Sequence, residues 1–359
     1  MLIVRSPVRI SFGGGGTDLP AYYEQYGGAV LNVAINKYFY TILGKRTDGC
    51  IQIISSDLRV FENLQDLSTM QVRGNTLEIP LAVLQELNFN LPVDLFLASE
   101  IPPGTGLGSS ASVCVNLVKT LSTYLHRPVS KYDLAEQAFY IARHTLARNV
   151  GKQDEYAAAF GGLNYFTFSP EGDVDVETIT IDRAILHELQ SHLMLFFTGA
   201  AHNSWSILKE QEDSTRRGSG PALEALHQVK LLAGEMRDAL LRENLFQLGE
   251  LLHLGWMAKR RVSVRISDAR IDTLYELARE HGAIGGKITG AGGGGFLLLF
   301  CSPDNQQSVR TALQAQGVQE MKFAFDMQGA QVVVNDPFID GDERSGCNWV
   351  LLPTGSIGE

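Results

Sequence analysis

The residues best suited to chemistry sit in three glycine-rich runs of the 359-residue chain. The richest in donors is Pro102-Pro103-Gly104-Thr105-Gly106-Leu107-Gly108-Ser109-Ser110-Ala111-Ser112. It opens a helix, because Val113, Leu117, Leu121 and Leu125 follow at four-residue intervals. Glycines let backbone approach a ligand closely, a helix start offers unpaired N–H groups and a partial positive charge, and serine hydroxyls reach a metal or phosphate oxygen. The run reads as an anion cradle. No lysine follows its glycines, so it is not a GxxxxGK(S/T) loop.

The first run, Pro7-Val8-Arg9-Ile10-Ser11-Phe12-Gly13-Gly14-Gly15-Gly16-Thr17-Asp18, sets a cation and a carboxylate at the two ends of a glycine crossing. A carboxylate can hold paired sugar hydroxyls, and an arginine beside a phosphate can neutralise charge that develops in transfer. The third run extends from Gly285-Gly286-Lys287-Ile288-Thr289-Gly290 through Gly292-Gly293-Gly294-Gly295 into an apolar strand. Backbone this bare is expected where chain packs against another loop or a ligand.

These runs need elements to hold them. Val8, Ile10 and Phe12 alternate with Arg9 and Ser11, as a strand would. Val30–Leu43, Ile51–Ile54, Val93–Ala98, Phe296–Phe300 and Gln331–Val334 read as further strands. Ser130-x-x-Asp133 begins a helix in capping-box fashion, and the stretch from Ser219 to Lys259 has no proline after Pro221, predicting two or more packed helices. A change near residues 185–195 divides this mixture into two α+β domains.

Composition bounds the reading further. The chain is 45% hydrophobic and 19% charged, with a formal charge of -10. That balance argues against a nucleic-acid or anionic-membrane surface, so phosphate binding must be local. Cys50, Cys114, Cys301 and Cys347 are scattered without a CxxC pair, which fits neither a zinc site nor a disulfide framework. The N-terminus lacks a signal-peptide pattern and no apolar run is long enough to span a bilayer, so a cytoplasmic protein is expected.

Taken in order, the three runs resemble the GHMP superfamily of small-molecule kinases. Within it, the run GGGGTDLP, the segment Gly151-Lys152-Gln153-Asp154-Glu155-Tyr156 continuing to Gly162, and GGKITGAGGGGF are most similar to the D-glycero-D-manno-heptose 7-phosphate kinase branch. The likeness spans about residues 3–335. It implies an α+β GHMP kinase fold: an N-terminal domain over 1–188 like the second domain of ribosomal protein S5, a ferredoxin-like C-terminal domain over 189–335, and a tail over 336–359. It implies ATP and Mg²⁺ as co-reactants, and phosphoryl transfer to the anomeric C1 hydroxyl of a heptose 7-phosphate. Free-sugar C1 kinases of the fucose, mannose or galactose type are the neighbouring reading. A binding protein that has lost turnover is the reading from a different class.

Carried onto this sequence, the resemblance implies that Gly104, Gly106, Leu107, Gly108, Ser109, Ser110, Ala111 and Ser112 wrap the ATP phosphates, with the Ser110 hydroxyl on Mg²⁺. Asp154 would accept or orient the acceptor proton, and Arg9 would pair with Asp154 and the moving phosphoryl group. Asp18 would bind sugar hydroxyls, with Gly15, Gly16 and Thr17 beside it. Lys152 and Lys259 would meet the substrate phosphate, with Arg260, Arg261 and Arg265 as further candidates. The third run, through Gly292 and Gly293, would buttress the phosphate loop near the acceptor. Two departures stand out. The branch carries a metal-binding glutamate where this chain has Ala142, whose methyl cannot ligate a cation. The metal must then rely on ATP oxygens, water and Ser110, or another acid must substitute. His202 stands where an arginine is expected.

Overall fold

The computed structural model describes residues 1–65, 71–199, 204–218 and 220–336. Two long strands, β1 (Leu2–Gly13) and β2 (Gly28–Lys45), pair antiparallel, with a short helix α1 (Pro20–Tyr26) between them. Their register shifts between Pro7 and Val8. Leu2 and Val4 lie in one core, whereas Val8, Ile10 and Phe12 lie in another. Arg9 and Ser11 alternate with the second set and line a cleft instead.

β2 is long enough to take two partners. Gly28–Val33 pairs with β6 (Leu163–Phe168), and Phe39–Lys45 pairs with β5 (Val93–Ser99). β3 (Ile51–Ser55) runs parallel to β5, β4 (Val60–Leu64) closes that edge, and β7 (Val174–Thr178) flanks β6. Helix α2 (Glu78–Glu86) lies between β4 and β5 in sequence. Helices α3 (Ser109–Tyr124), α4 (Lys131–Tyr140) and α5 (Gln153–Phe160) pack with the sheet in the first core. The capping box is present: the Asp133 amide donates to Ser130 Oγ at 3.1 Å. A π-helical turn, Ile141–Thr145, follows α4 and presents Ala142 to the cleft.

A second, antiparallel sheet has the order β11-β8-β10-β9, from β8 (Leu193–Phe197), β9 (Ala283–Ile288), β10 (Phe296–Cys301) and β11 (Gln319–Glu320). Around it are α6 (Arg183–His192), α7 (Ser204–Arg216), α8 (Pro221–Leu241), α9 (Leu245–Arg260), α10 (Ala269–Glu280) and α11 (Pro303–Ala315). The proline-free stretch is thus two helices. Helix α8 rests on β1 and β2, while α9 rests on β9 and β10. One apolar core therefore runs from Ile10 and Val33 through Val229 and Met236 to Leu298 and Phe300. The α+β class and the two-sheet division agree with the sequence.

The expected extent of the second domain needs correction at its end. Residues 331–335 form β12 (Gln331–Asn335), which pairs antiparallel with β1, Ile3 opposite Val334. An apolar strand adds to whichever sheet edge is open, and β1 offers one beyond β2. The rest of the tail, like His202, lies outside the described residues. Among the described residues no helix is long and apolar enough to cross a membrane, and Cys50, Cys114 and Cys301 are free thiols.

The two units meet backbone to backbone. A Cβ on Gly295, at φ +87°, would lie 2.2 Å from the Thr105 carbonyl oxygen. Gly295→Ala should therefore lower unfolding free energy by about 1–3 kcal/mol through strain and displaced loop, read as a lower urea midpoint with an unchanged slope. An unchanged midpoint would mean that this contact is not tight.

Candidate active site

A cleft of about 480 Å³ opens where the two units meet. Arg9 is its anchor. Arg9 Nε donates to Asp154 Oδ1 at 2.8 Å, a second guanidinium nitrogen lies 2.6 Å from the same oxygen, and the remaining one donates to the Gly106 carbonyl at 2.6 Å. The Arg9 side chain is 5% exposed and that of Asp154 31%. The cation is therefore fixed while the carboxylate faces the cleft, in the first turn of α5.

The second glycine run opens α3 at the edge of this cleft. Gly108, at φ +77°, precedes α3 without a side-chain cap, and the first helical bond runs from the Ser112 amide to the Gly108 carbonyl. Among the described residues the amides of Ser109, Ser110 and Ala111 have no backbone partner, which leaves them for an anion. Gly104, Gly106, Gly108, Ser109, Ser110 and Ala111 line the cleft. The Arg9 amide donates to the Leu107 carbonyl at 3.0 Å, tying the loop to β1. Glycine is required at 108: a Cβ there would stand 3.2 Å from the Asp154 carboxyl.

Asp18 lies under the same cleft, 8% exposed. Its Oδ1 accepts from the Gly16 amide at 2.8 Å, and its Oδ2 from the Gln153 amide at 3.3 Å. Burial, then the nearby charge of Asp154, raises its pKa. Lys259 enters from α9, donating to the Gly15 carbonyl at 2.8 Å and to Gln211 Oε1 at 3.2 Å. Gln211, on α7, donates in turn to the Gly16 carbonyl at 3.1 Å. The glycine crossing is thus clamped from the second unit.

Several expected residues do not reach the cleft. Lys152 donates to Glu136 at 2.6 Å and to the Gly172 carbonyl at 2.7 Å, so its ammonium points away. Thr17 is fully buried, bonded to the carbonyls of Gly14 and Ala29. Leu107 is a core side chain, and Ser112 Oγ donates to the Ser6 carbonyl. Gly292 packs on Ile266, and the Gly293 amide donates to the Ile266 carbonyl; Gly290 and Ala291 line the cleft in their place. Arg260 pairs with Asp272, Arg261 bonds Gln228, and Arg265 reaches Ser206 and Glu210.

The sequence reading also passed over residues the fold brings close. Ser11, Gln153 and Glu155 line the cleft, and Ser11 Oγ donates to Gln153 Oε1 at 3.3 Å. Glu155 is 2% exposed and its pKa is raised well above the usual value, chiefly by burial. Lys287, on β9, is 5% exposed and feels the charges of Lys259, Arg9 and Asp18. A lone lysine between bare glycines and an apolar strand was the available signal.

Burial lowers Lys259 to about 8 and Lys287 to about 7, the latter also through Lys259 and Arg9. Between a depressed folded pKa and the ordinary 10.5, the unfolded chain holds more protons, so stability rises with pH there. Lys287→Met removes this dependence. Its unfolding free energy should exceed the wild type's most below pH 7, with the gap narrowing by at most about 1.4 kcal/mol per pH unit above that. Urea titrations from pH 6 to 9 check this; a gap independent of pH would refute it.

Comparison with known proteins fits this geometry. The GHMP kinases N terminal domain model matches residues 76–162 and the GHMP kinases C terminal model residues 236–319. The chain is 32% identical over 332 residues to the D-glycero-alpha-D-manno-heptose 7-phosphate kinase of Campylobacter jejuni, covering 91% of this chain and 97% of the relative. It is 25% identical to the L-fucokinase/L-fucose-1-P guanylyltransferase of Bacteroides fragilis, but spans only 35% of that longer protein. The crystal structure of a D-glycero-D-manno-heptose 1-phosphate kinase from Bacteroides thetaiotaomicron superposes with a TM-score of 0.77 at 28% identity, covering 92% of this chain and 98% of that one. Similarity along nearly the whole length, joined to a cleft built from all three glycine runs, makes this chain a member of the GHMP kinases and a phosphotransferase.

Proposed function

We propose that the protein transfers the γ-phosphoryl group of ATP to the anomeric C1 hydroxyl of D-glycero-D-manno-heptose 7-phosphate, giving the 1,7-bisphosphate. The observation that carries the reading is the Arg9–Asp154 pair standing beside the open amides of the α3 N-terminus. Phosphoryl transfer asks for positioning and charge neutralisation rather than covalent chemistry, and these groups supply both.

ATP phosphates would sit on the amides of Ser109–Ala111, with apolar side chains such as Phe39, Leu77, Leu97 and Ile101 available to the base. The acceptor oxygen forms a bond to the γ-phosphorus while the bond to the β,γ-bridging oxygen breaks, and ADP leaves with that electron pair. Asp154 orients the acceptor hydroxyl and takes its proton. Arg9, held by Asp154 and the Gly106 carbonyl, faces the charge that develops. Lys259 and Asp18 bound the acceptor side, Asp18 keeping lone pairs for sugar hydroxyls beyond the two amides it already accepts. The donor set suits Mg²⁺: the Ser110 hydroxyl lines the cleft, and Glu155 Oε2 there is buried without a hydrogen-bond partner. When bound, the ion screens the phosphate oxygens and fixes their arrangement.

A free-sugar C1 kinase is the second reading. It is favoured by the engagement of Arg260, Arg261 and Arg265 elsewhere, which leaves Lys259 alone of the four in the cleft. Coupled ADP release should show turnover with Mg-ATP and the heptose 7-phosphate, not with free hexoses. Asp154→Asn should lower kcat by about 10²–10⁴-fold. Turnover with a free hexose alone would transfer the assignment to the second reading.

A further inference from the structure

Position 142 poses a problem in this chain. Ala142 lines the cleft from the π-helical turn, and its methyl offers no oxygen. The nearest upstream acid, Glu136, is committed: its Oε1 accepts from Lys152 at 2.6 Å and from the Tyr156 hydroxyl at 2.5 Å. Asp154 is held by Arg9, and Asp18 by two amides. Glu155 remains. It sits in the first turn of α5, lines the same cleft, and is 2% exposed. Its Oε2 is buried with no hydrogen-bond partner, and no cation forms an ion pair with it among the described residues; the cation whose charge it feels, Arg9, is paired with Asp154.

A carboxylate in that position is expensive unless something compensates it. Its direction is informative. Consecutive residues on a helix point about 100° apart, so Glu155 does not share Asp154's aim at Arg9. Its charge acts on Cys114 of α3, which also lines the cleft, and it feels the charges of Asp154, Asp18 and Arg9. Cys114 follows Ser110 by four residues, so the two lie one above the other on a single face of α3. The unpartnered carboxyl of Glu155, Ser110 and Ala142 all line the one cleft into which the open α3 amides face. Carboxylate and hydroxyl oxygens are the ligands a hard divalent cation takes, with phosphate oxygens and water completing its shell.

We propose that Glu155 is the carboxylate that holds the nucleotide-bound divalent cation in this protein, replacing a ligand that position 142 does not supply. The proposal rests on the reading of the cleft as an ATP site. Its test measures binding rather than turnover. Calorimetry with the non-hydrolysable analogue AMPPNP, in excess Mg²⁺ and again in EDTA, gives the factor by which the cation tightens nucleotide binding. For the wild type the factor should be about tenfold or more. Glu155→Gln should bring it close to one while leaving the EDTA affinity unchanged or stronger. Adding Ala142→Glu to Glu155→Gln should restore it, because a carboxylate then enters the same cleft from the π-helical turn. Free of a buried charge, Glu155→Gln should melt no lower than the wild type without cation.

A wild-type Mg²⁺ factor preserved in Glu155→Gln would overturn the proposal. So would a lower melting temperature with failure of the double variant to regain the factor, which would mark Glu155 as a packed structural acid. Wild-type protein that binds AMPPNP in neither condition would instead defeat the ATP reading, and this proposal with it.

Discussion

The Arg9 guanidinium is the constraint on which the site depends. It is a charge taken almost wholly out of water, and such a charge is tolerable only when every donor has a partner. Its partners are the Asp154 carboxylate and the Gly106 carbonyl, while the Arg9 amide holds the next carbonyl along, that of Leu107. One residue of β1 thus fixes the position of α5 and of the loop before α3. Displacing either leaves a buried donor unsatisfied, so loop and helix are held in register by the penalty of separating them. The cleft-facing carboxylate and the open amides of α3 inherit their relative geometry from that residue.

Around this anchor, charges of both signs are crowded into little space. Asp18, Asp154 and Glu155 stand near Arg9, Lys259 and Lys287, several of them deeply buried. Burial pushes Asp18 and Glu155 up and the two lysines down, each toward its neutral form. The cleft without ligand is therefore electrostatically unsettled, and a polyanionic nucleotide with its cation would relieve both tendencies at once. Anionic oxygens favour the protonated lysines, and a divalent ion favours the ionised carboxylates. Stability is given up locally, and ligand binding restores it.

Alternation and helical periodicity carried the α+β class, glycine spacing before an amphipathic helix carried the anion cradle, and the pairing of Arg9 with Asp154 came only through the family resemblance. The sequence misdirected on individual neighbours. Thr17, Leu107, Ser112 and Lys152 belong to the right segments, yet their side chains turn inward or sideways. A loop with successive positive-φ glycines has no periodicity from which direction can be read. The same holds for Gly292 and Gly293, which press on Ile266 one residue past the lining pair. The surroundings of Lys287 and the sheet that β12 joins were hidden differently. A strand's alternation says that one face is buried, not what lies opposite, and an apolar strand says nothing of which sheet it will join.

The division of labour between the two units follows from these placements. On the proposed reading the nucleotide side would be built by the first unit, from the α3 amides, Ser110, Asp154 and the apolar lining of β2, β5 and α2. The acceptor side would be shared, because the glycine crossing that carries Asp18 is held by Lys259 of α9 and Gln211 of α7. Helix α7 is itself tied to the π-helical turn by the Arg143–Glu212 ion pair, 2.8 Å long, with both side chains largely buried. On the proposed reading a change of acceptor would act through α7 and α9, while the phosphate loop meets the second unit through close backbone approaches at Thr289, Gly290 and Gly295 and through the Leu107 side chain in the shared core. Those approaches fix where the third run must pass and would leave the chemistry of the acceptor wall free to vary.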